Sequence, residues 1–343
     1  MQDIKELNLV ELQNTLQKWG ESGFHAEQIF SWIYKKGVGD FAAMSDLSLA
    51  LRKKLEDNFF LNSLKLVEAL KSKDGTEKFL FQLKDRNFIE TVAIPTEKRL
   101  TLCLSTQVGC KFRCCFCASG MLGFKRNLTS AEIIEQVLYV KNNFSDKVIT
   151  HLVFMGIGEP LDNYDELIKA IRIVNSKAAF NIGARRMTIS TSGIIPAIKR
   201  LREEELQIEL SISLHAADNQ TRSRIMPVNK KYPLVELIKT CSEYIKQTGR
   251  QITFEYILMK GVNSSLQNAQ DLSKIVKSLV LCKVNLILLN PIKNCAIAPP
   301  SKLEILLFRD YLLRQGLNVT LRQRRGADIE AACGQLRLRY VKE

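Results

Sequence analysis

The sequence predicts an α/β protein, with parallel strands joined by helical crossovers and a small helical domain in front of them. Two observations carry this. From about residue 99, short β-branched or aliphatic runs alternate six times with amphipathic stretches of helix length, the pattern of β-then-α units. The residues with the most evident chemistry fall just after those strand runs, where a parallel α/β sheet collects its ligands. Periodicity alone leaves open whether the sheet lies flat or curls into a partial barrel.

Residues 1–65 read as an N-terminal helical accessory domain. Leu9, Leu12 and Leu16 recur at helical spacing, Ile29, Phe30, Ile33 and Tyr34 repeat it, and Ser45-Asp46-Leu47-Ser48 opens a further helix through Leu51 and Leu55. Residues 66–98 read as a β-hairpin linker: Phe79-Leu80-Phe81 and Phe88-Ile89-Glu90-Thr91-Val92 flank a polar turn, Lys84-Asp85-Arg86-Asn87. Residues 99–343 form the larger unit. Its expected strands are Leu102–Ser105, His151–Met155, Met187–Thr191, Ile208–Leu214, Ile252–Leu258 and Val284–Leu289, and its expected helices are 130–143, 164–176, 194–204, 234–248, 266–279 and 302–315. The first helix is signed by a capping box, Thr129-x-x-Glu132, with Leu128 and Ile133 as its hydrophobic staple.

The chain has 343 residues and a formal charge of +14. Residues 1–90 sum to −1 and residues 91–343 to +15, so the larger unit holds the surplus. Such a balance points to a polyanion, and with no basic amphipathic helix in view it favours nucleic acid over a membrane surface. No run approaches the ~18 apolar residues of a membrane span, and Met-Gln-Asp-Ile does not open a signal peptide, so a cytoplasmic protein is expected. Nine cysteines, an odd number, argue for thiols, metal ligands or redox work rather than disulfide staples.

The motifs follow the strands. Cys110-x3-Cys114-x2-Cys117 comes after the first, Gly156-Ile157-Gly158-Glu159-Pro160 after the second and Ser190-Thr191-Ser192-Gly193 at the third; Ser213-Leu214-His215 ends the fourth and Asn290-Pro291 the sixth. Three thiolates on one loop suit a [4Fe–4S] cluster with one iron left open. The alternative is a zinc loop completed by Cys103 or Cys115, and a shifted register, Cys110-x4-Cys115-x-Cys117, also exists. Taken singly, the glycines and serines fit turns and caps, and His215 fits a satisfied core histidine.

Cys-x3-Cys-x2-Cys, with Phe116 before its last cysteine and Gly-Glu-Pro some forty residues later, resembles the radical S-adenosylmethionine (SAM) superfamily. Together with Met-Gly-x-Gly-Glu-Pro, Ser-Thr-Ser-Gly, Ser-Leu-His-Ala and the late Ala331-Ala332-Cys333-Gly334-Gln335, the chain resembles the RlmN/Cfr adenine methyltransferases along nearly its whole length, on the RlmN side. The resemblance implies a partial (β/α)6 barrel, with Cys110, Cys114 and Cys117 on three irons of a [4Fe–4S] cluster and SAM chelating the fourth. It places SAM contacts at Gly158, Glu159, Ser190, Ser213, Leu214, His215 and Asn290. It makes Cys333 a cysteine that one SAM methylates and from which a second SAM, cleaved to a radical, takes hydrogen before the carbon adds to adenine. Cys103 would resolve the adduct by a transient disulfide with Cys333, and Glu90 would accept the proton.

The implied product is 2-methyladenine at adenosine 2503 of 23S rRNA and adenosine 37 of a subset of tRNAs. The alternative is a Cfr-like reaction at adenine C8, which uses the same residues. The implied partners are 23S rRNA, tRNA and an electron donor such as flavodoxin or ferredoxin, with no membrane, and a monomer is expected. Local context adds two expectations: Glu90 at a strand edge, where an exposed glutamate is commonplace, and Cys333 in a tail with little sign of being buried core. Cys115, Cys241, Cys282 and Cys295 receive no role.

Overall fold

The computed structural model describes residues 1–121, 123–144, 147–290 and 297–336. The N-terminal helices are α1 (Leu9–Lys18), α2 (Phe24–Phe30), which runs on into a π-helical turn at Ser31–Lys36, and α3 (Leu49–Asn58). Each start or stop has a local cause. Asn8 and Glu11 exchange a capping box at the head of α1, Ser48 caps α3, and Gly37 ends the π-turn with φ +72°, a conformation glycine adopts without a side-chain clash.

Ten strands form one sheet whose spatial order is the chain order. They are β1 (Leu64–Lys71), β2 (Glu77–Leu83), β3 (Phe88–Pro95), β4 (Leu100–Cys103), β5 (Ile149–Phe154), β6 (Met187–Thr191), β7 (Glu209–Ser213), β8 (Ile252–Leu258), β9 (Cys282–Leu288) and β10 (Val319–Leu321). Strands β1 to β4 pair antiparallel and β4 to β10 parallel. Six of the sequence-derived strands therefore exist, Met187–Thr191 and Ile252–Leu258 to the residue. The segment read as a hairpin adds three strands directly to the same sheet.

Helices α4 (Ser130–Asn143), α5 (Tyr164–Asn175), α6 (Ile195–Leu201), α7 (Asn219–Ile225), α8 (Leu234–Thr248), α9 (Leu266–Lys277) and α10 (Lys302–Arg314) fill the crossovers. The capping box at Thr129 and Glu132 forms as expected, with Glu132 N–H donating to Thr129 Oγ1 at 3.3 Å and Thr129 N–H to Glu132 Oε2 at 3.0 Å. Side chains from β5 through β9 line a single cavity. Strands sit about 4.8 Å apart, so five of them reach one cavity only because the sheet curls around it.

Two sets of contacts position the flanking parts. Lys5, fully buried before α1, ion-pairs with Asp3 at 2.8 Å and with Glu135 of α4 at 2.9 Å, and donates to the Leu61 carbonyl. Glu135 also accepts the Ser63 N–H at 2.9 and 2.8 Å, so one carboxylate fastens both ends of the N-terminal domain to the barrel. After β10 the chain crosses back to the turn between β1 and β2. There Gly326 N–H donates to Asp74 at 3.0 Å, Ser72 Oγ to Asp328 at 2.6 Å and Lys78 Nζ to the Glu330 carbonyl at 3.3 Å.

Candidate active site

The cysteine loop leaves a short antiparallel pair, Gln107–Gly109 with Phe124–Asn127, and Cys110 N–H returns to the Gly123 carbonyl at 3.0 Å. A turn closes at Cys117 N–H to Cys114 O, 3.1 Å. Cys110, Cys114 and Cys117 all line the central cavity, and Cys115 does not. The Cys115 N–H instead donates to the carbonyl of Ile225 at 3.0 Å. Burial pushes the Cys110 thiol up to about 12 and raises Cys114 and Cys117 as well, with neighbouring cysteines adding repulsion. Three thiolates therefore coexist here only with a metal centre to neutralise them.

Across the cavity stand the strand ends. Gly158 has φ +109°, and a Cβ there would lie 2.6 Å from Cβ of Gln107, so only glycine fits. Glu159 is buried; its Oε2 accepts the Ser192 N–H at 2.7 Å and its Oε1 the Leu161 N–H at 3.1 Å. Burial raises its pKa, and these two donors work against that. Ser190 and Ser213 line the same cavity.

His215 also lines it, in a left-handed backbone conformation with φ +58° and its ring edge-on to Phe116 at 4.8 Å. Its Nδ1 accepts the Ile257 N–H at 3.1 Å, which puts the ring proton on Nε2. Burial, with Arg222 adding repulsion, pushes its pKa down to about 3, so the imidazole is neutral. Leu214 differs from its neighbours. It is buried outside the lining, and its backbone bonds to Glu255 O and Arg222 instead.

Cys333 joins this cavity to a second one. It lines the first with Gly334 and the second with Cys103, Asn290, Arg99, Arg324 and Arg325. Asn290 Nδ2 donates to the Cys333 carbonyl at 3.0 Å, and its buried Oδ1 has no hydrogen-bond partner among the described residues. The tail is not loose: Ala331 and Leu336 are buried against Val92, Cys103 and Ile157, Ala332 is buried beside them in sequence, and Ala118 N–H donates to the Gly334 carbonyl at 2.8 Å. This corrects the expectation of a tail outside the core. Its apolar residues are few, and their partners lie more than 170 positions away in the sequence.

Cys103 is buried, and burial, with Cys333 nearby, pushes its thiol up to about 12. No disulfide joins any two described cysteines, and Cys295 lies outside the described residues. Glu90 corrects a second expectation. It is 3% exposed and ion-paired with Lys78 at 3.1 Å, because β3 is an interior strand with the tail packed over it. Register places Glu90 on the same face as Val92, which pairs with Cys103. Ser105 Oγ donates to the Glu90 carbonyl at 2.5 Å and accepts the Ile157 N–H at 3.0 Å, so one hydroxyl joins this strand to the loop of Gly158 and Glu159.

Two arginines at the site carry no sequence signal beyond charge. Arg322 lines both cavities, and the proximity of Cys333, then of Glu255 and Cys103, raises its pKa. Arg222 is fully buried beside the serine strand ends.

A family model for the radical SAM superfamily matches residues 104–272, and one for the ribosomal RNA large subunit methyltransferase N-terminal domain matches residues 2–61. Among curated proteins, a "probable dual-specificity RNA methyltransferase RlmN" of Clostridium novyi (strain NT) is 46% identical over 100% of this chain and 99% of its own. The chain belongs to the RlmN family of radical SAM RNA methyltransferases. A relative of the same name from Bacillus cytotoxicus is 46% identical over 99% of this chain and 94% of its own.

A radical SAM methyltransferase from Sphaerobacter thermophilus superposes with a TM-score of 0.94 at 42% identity, covering 98% of this chain and 99% of that one. The hydrogenase maturase HydG from Carboxydothermus hydrogenoformans, at 14% identity and a TM-score of 0.50 over 65% of this chain and 53% of its own, shares the fold alone.

RlmN membership makes the chain an enzyme that uses SAM, and the radical SAM superfamily implies a [4Fe–4S] cluster. The donor set fits that group. No three His, Cys, Asp or Glu side chains among the described residues converge on a single-ion site, which is what zinc would need. A cluster takes each thiolate on a different iron, and here three thiols share the wall of one cavity. No helix among the described residues is long and apolar enough to cross a membrane.

Proposed function

We propose that this enzyme methylates C2 of adenine, at adenosine 2503 of 23S rRNA and adenosine 37 of a subset of tRNAs, through a methyl group carried on Cys333. The supporting observation is the position of Cys333 between two cavities, one walled by Cys110, Cys114 and Cys117, the other by Cys103 and arginines. When bound, the cluster and two SAM molecules per turnover supply one methyl group and the one-electron chemistry that activates it on sulfur.

The chain's own residues do the rest. Cys110, Cys114 and Cys117 hold the cluster. Gly158 and Glu159 receive the amino end of SAM, where a carboxylate suits an ammonium, and Ser190, Ser213 and His215 complete its seat, with Leu214 behind that lining and Asn290 beside it on the second cavity, at the Cys333 carbonyl. A cysteine carrier is chemically reasonable, because C2 is an electron-poor carbon that an ordinary methyl electrophile does not attack.

Glu90, kept in place by Lys78, takes the C2 proton of the adduct. Cys103 then attacks the Cys333 sulfur; the S–S bond forms, the bond from sulfur to the product carbon breaks, and that carbon takes up the proton given up by the Cys103 thiol to become the methyl group. The one electron left over from the radical adduct returns to the cluster held by Cys110, Cys114 and Cys117, and an added thiol reductant restores both thiols. The second cavity opens beside a further cleft with Lys98, Arg99, Lys147 and Arg325, a cationic approach suited to phosphates and to an unstacked base.

Mass spectrometry of RNA from a strain lacking this gene and its paralogues tests the assignment. Loss of 2-methyladenine from both RNAs is expected; its persistence, or loss of 8-methyladenine instead, overturns the C2 reading.

A further inference from the structure

Among the described residues, Arg222 is the largest side chain that the fold buries completely. It lies on α7, whose last residue, Ile225, accepts the Cys115 N–H, so the helix is tied directly to the cysteine loop. Its guanidinium donates to Leu214 O and Ser213 O at 3.1 Å, Ser192 O at 2.7 Å and Asn229 Oδ1 at 2.9 Å. These partners are neutral, and among the described residues no carboxylate forms an ion pair with it. An unpaired buried cation is costly. The Cys115 that this helix holds follows Cys114 directly, and the buried Cys241 lies within electrostatic reach of the guanidinium. Cys114 is one of the three thiols on the cavity wall, and Ser192 and Ser213 line that cavity too.

We propose that Arg222 is a positioning residue that ties the ends of β6 and β7 together and serves as the internal counter-cation of the cluster site, easing the entry of an electron. The inference rests on the reading that Cys110, Cys114 and Cys117 hold a four-iron cluster. Three thiolates around a four-iron core leave net negative charge in a cavity of low dielectric, and one more electron adds to it. A fixed positive charge nearby lowers the energy of the reduced form more than that of the oxidised form, so it raises the potential of the one-electron 2+/1+ couple.

The test is an anaerobic redox titration of the reconstituted holoenzyme against dithionite, followed by electron paramagnetic resonance. Arg222→Gln keeps hydrogen-bond donors and removes the charge. At a fixed potential its reduced-to-oxidised ratio should fall at least tenfold, a shift of 59 mV to lower potential. Arg222→Lys keeps the charge and should stay within twofold of the unaltered enzyme. A Gln variant within twofold of the unaltered enzyme, or a Lys variant shifted as far as Gln, overturns the proposal, because either result makes the role purely structural.

Should Arg222→Gln not accumulate as folded protein, Cys241→Asp carries the test. It leaves the four hydrogen bonds and adds an anion within electrostatic reach, so the same downward shift is expected and an unchanged potential refutes the idea. Absence of iron and of any paramagnetic signal in the unaltered protein would instead overturn the cluster reading beneath it.

Discussion

The two thiol-bearing walls of the active cavity are built in opposite ways. Cys110, Cys114 and Cys117 belong to eight consecutive residues, and their turn closes on itself through Cys117 N–H to Cys114 O. Cys333 also sits in a short turn, Gln335 N–H to Ala332 O at 3.0 Å, but that turn is placed by distant parts of the chain. Its segment is held by Asp74, Ser72 and Lys78 at the β1–β2 side, by Asn290 at the end of β9 and by Ala118 beside the cysteine loop. Three cysteines can thus be framed within one loop, whereas Cys333 is placed by contacts that reach back 43 residues to Asn290 and more than 200 to Ala118 and the β1–β2 side. The two walls should therefore fail differently.

The largest effects separate them outright. Cys114→Ala should lose iron and all methylation together, read by iron analysis and a methyl-transfer assay. Cys333→Ala should lose methylation by at least about 10³-fold while keeping both iron and SAM cleavage. Equal iron loss in the two variants would erase the distinction. Next in size, Cys103→Ala should stall turnover with RNA still attached to Cys333, visible as a slow band on a denaturing gel; free RNA turned over at the normal rate would remove Cys103 from the cycle.

How the walls are built also explains what could be read from the sequence. The cysteine loop, the glycine–glutamate turn and the serine strand ends were legible because spacing and strand-end position are local properties. Strand β10 is three residues long, and β1, Leu64–Lys71, has six exposed or charged positions that blur its alternation, so neither announces itself. Glu90 and the tail were misjudged for one reason: their burial comes from each other's neighbourhood, a tertiary fact. Leu214 sits in the expected motif yet outside the cavity lining, since alternation along β7 and the turn after it aim Ser213 and His215 inward. Arg222 gave no signal because Asn219–Ile225 is a short polar segment between expected elements, with no helix anticipated there.

Smaller effects sharpen the contrast by loosening only the tail. Lys78→Met leaves the Glu90 carboxylate buried without its ion-pair partner, at about 3–5 kcal/mol, and Lys78→Met with Glu90→Gln should recover part of the lost melting temperature. Iron binding by either variant should be unchanged.

The smallest effect is on pH. Burial pushes the Asp74 carboxyl up, but hydrogen bonds from Thr76 and the Gly326 N–H outweigh it and hold the group at about 2. A depressed acid stabilises the fold above its unfolded pKa of about 3.9 and loses that contribution as pH falls toward 2. The group is half-buried at the protein surface, where solvent screens it, so Asp74→Asn should cost under about 1 kcal/mol at neutral pH and leave stability below about pH 2 unaltered, as measured by thermal melting across that range.

The central claim is that Cys333 carries the methyl group between the two cavities. It is tested most directly by incubating the anaerobic enzyme with methyl-labelled SAM and reading the tryptic peptide that contains Cys333 by mass spectrometry. The account predicts one labelled methyl on Cys333, none on Cys103, and transfer of that label to adenine when RNA and reductant are added. Methylated RNA formed while Cys333 stays unmodified, or full turnover by Cys333→Ala, would contradict it.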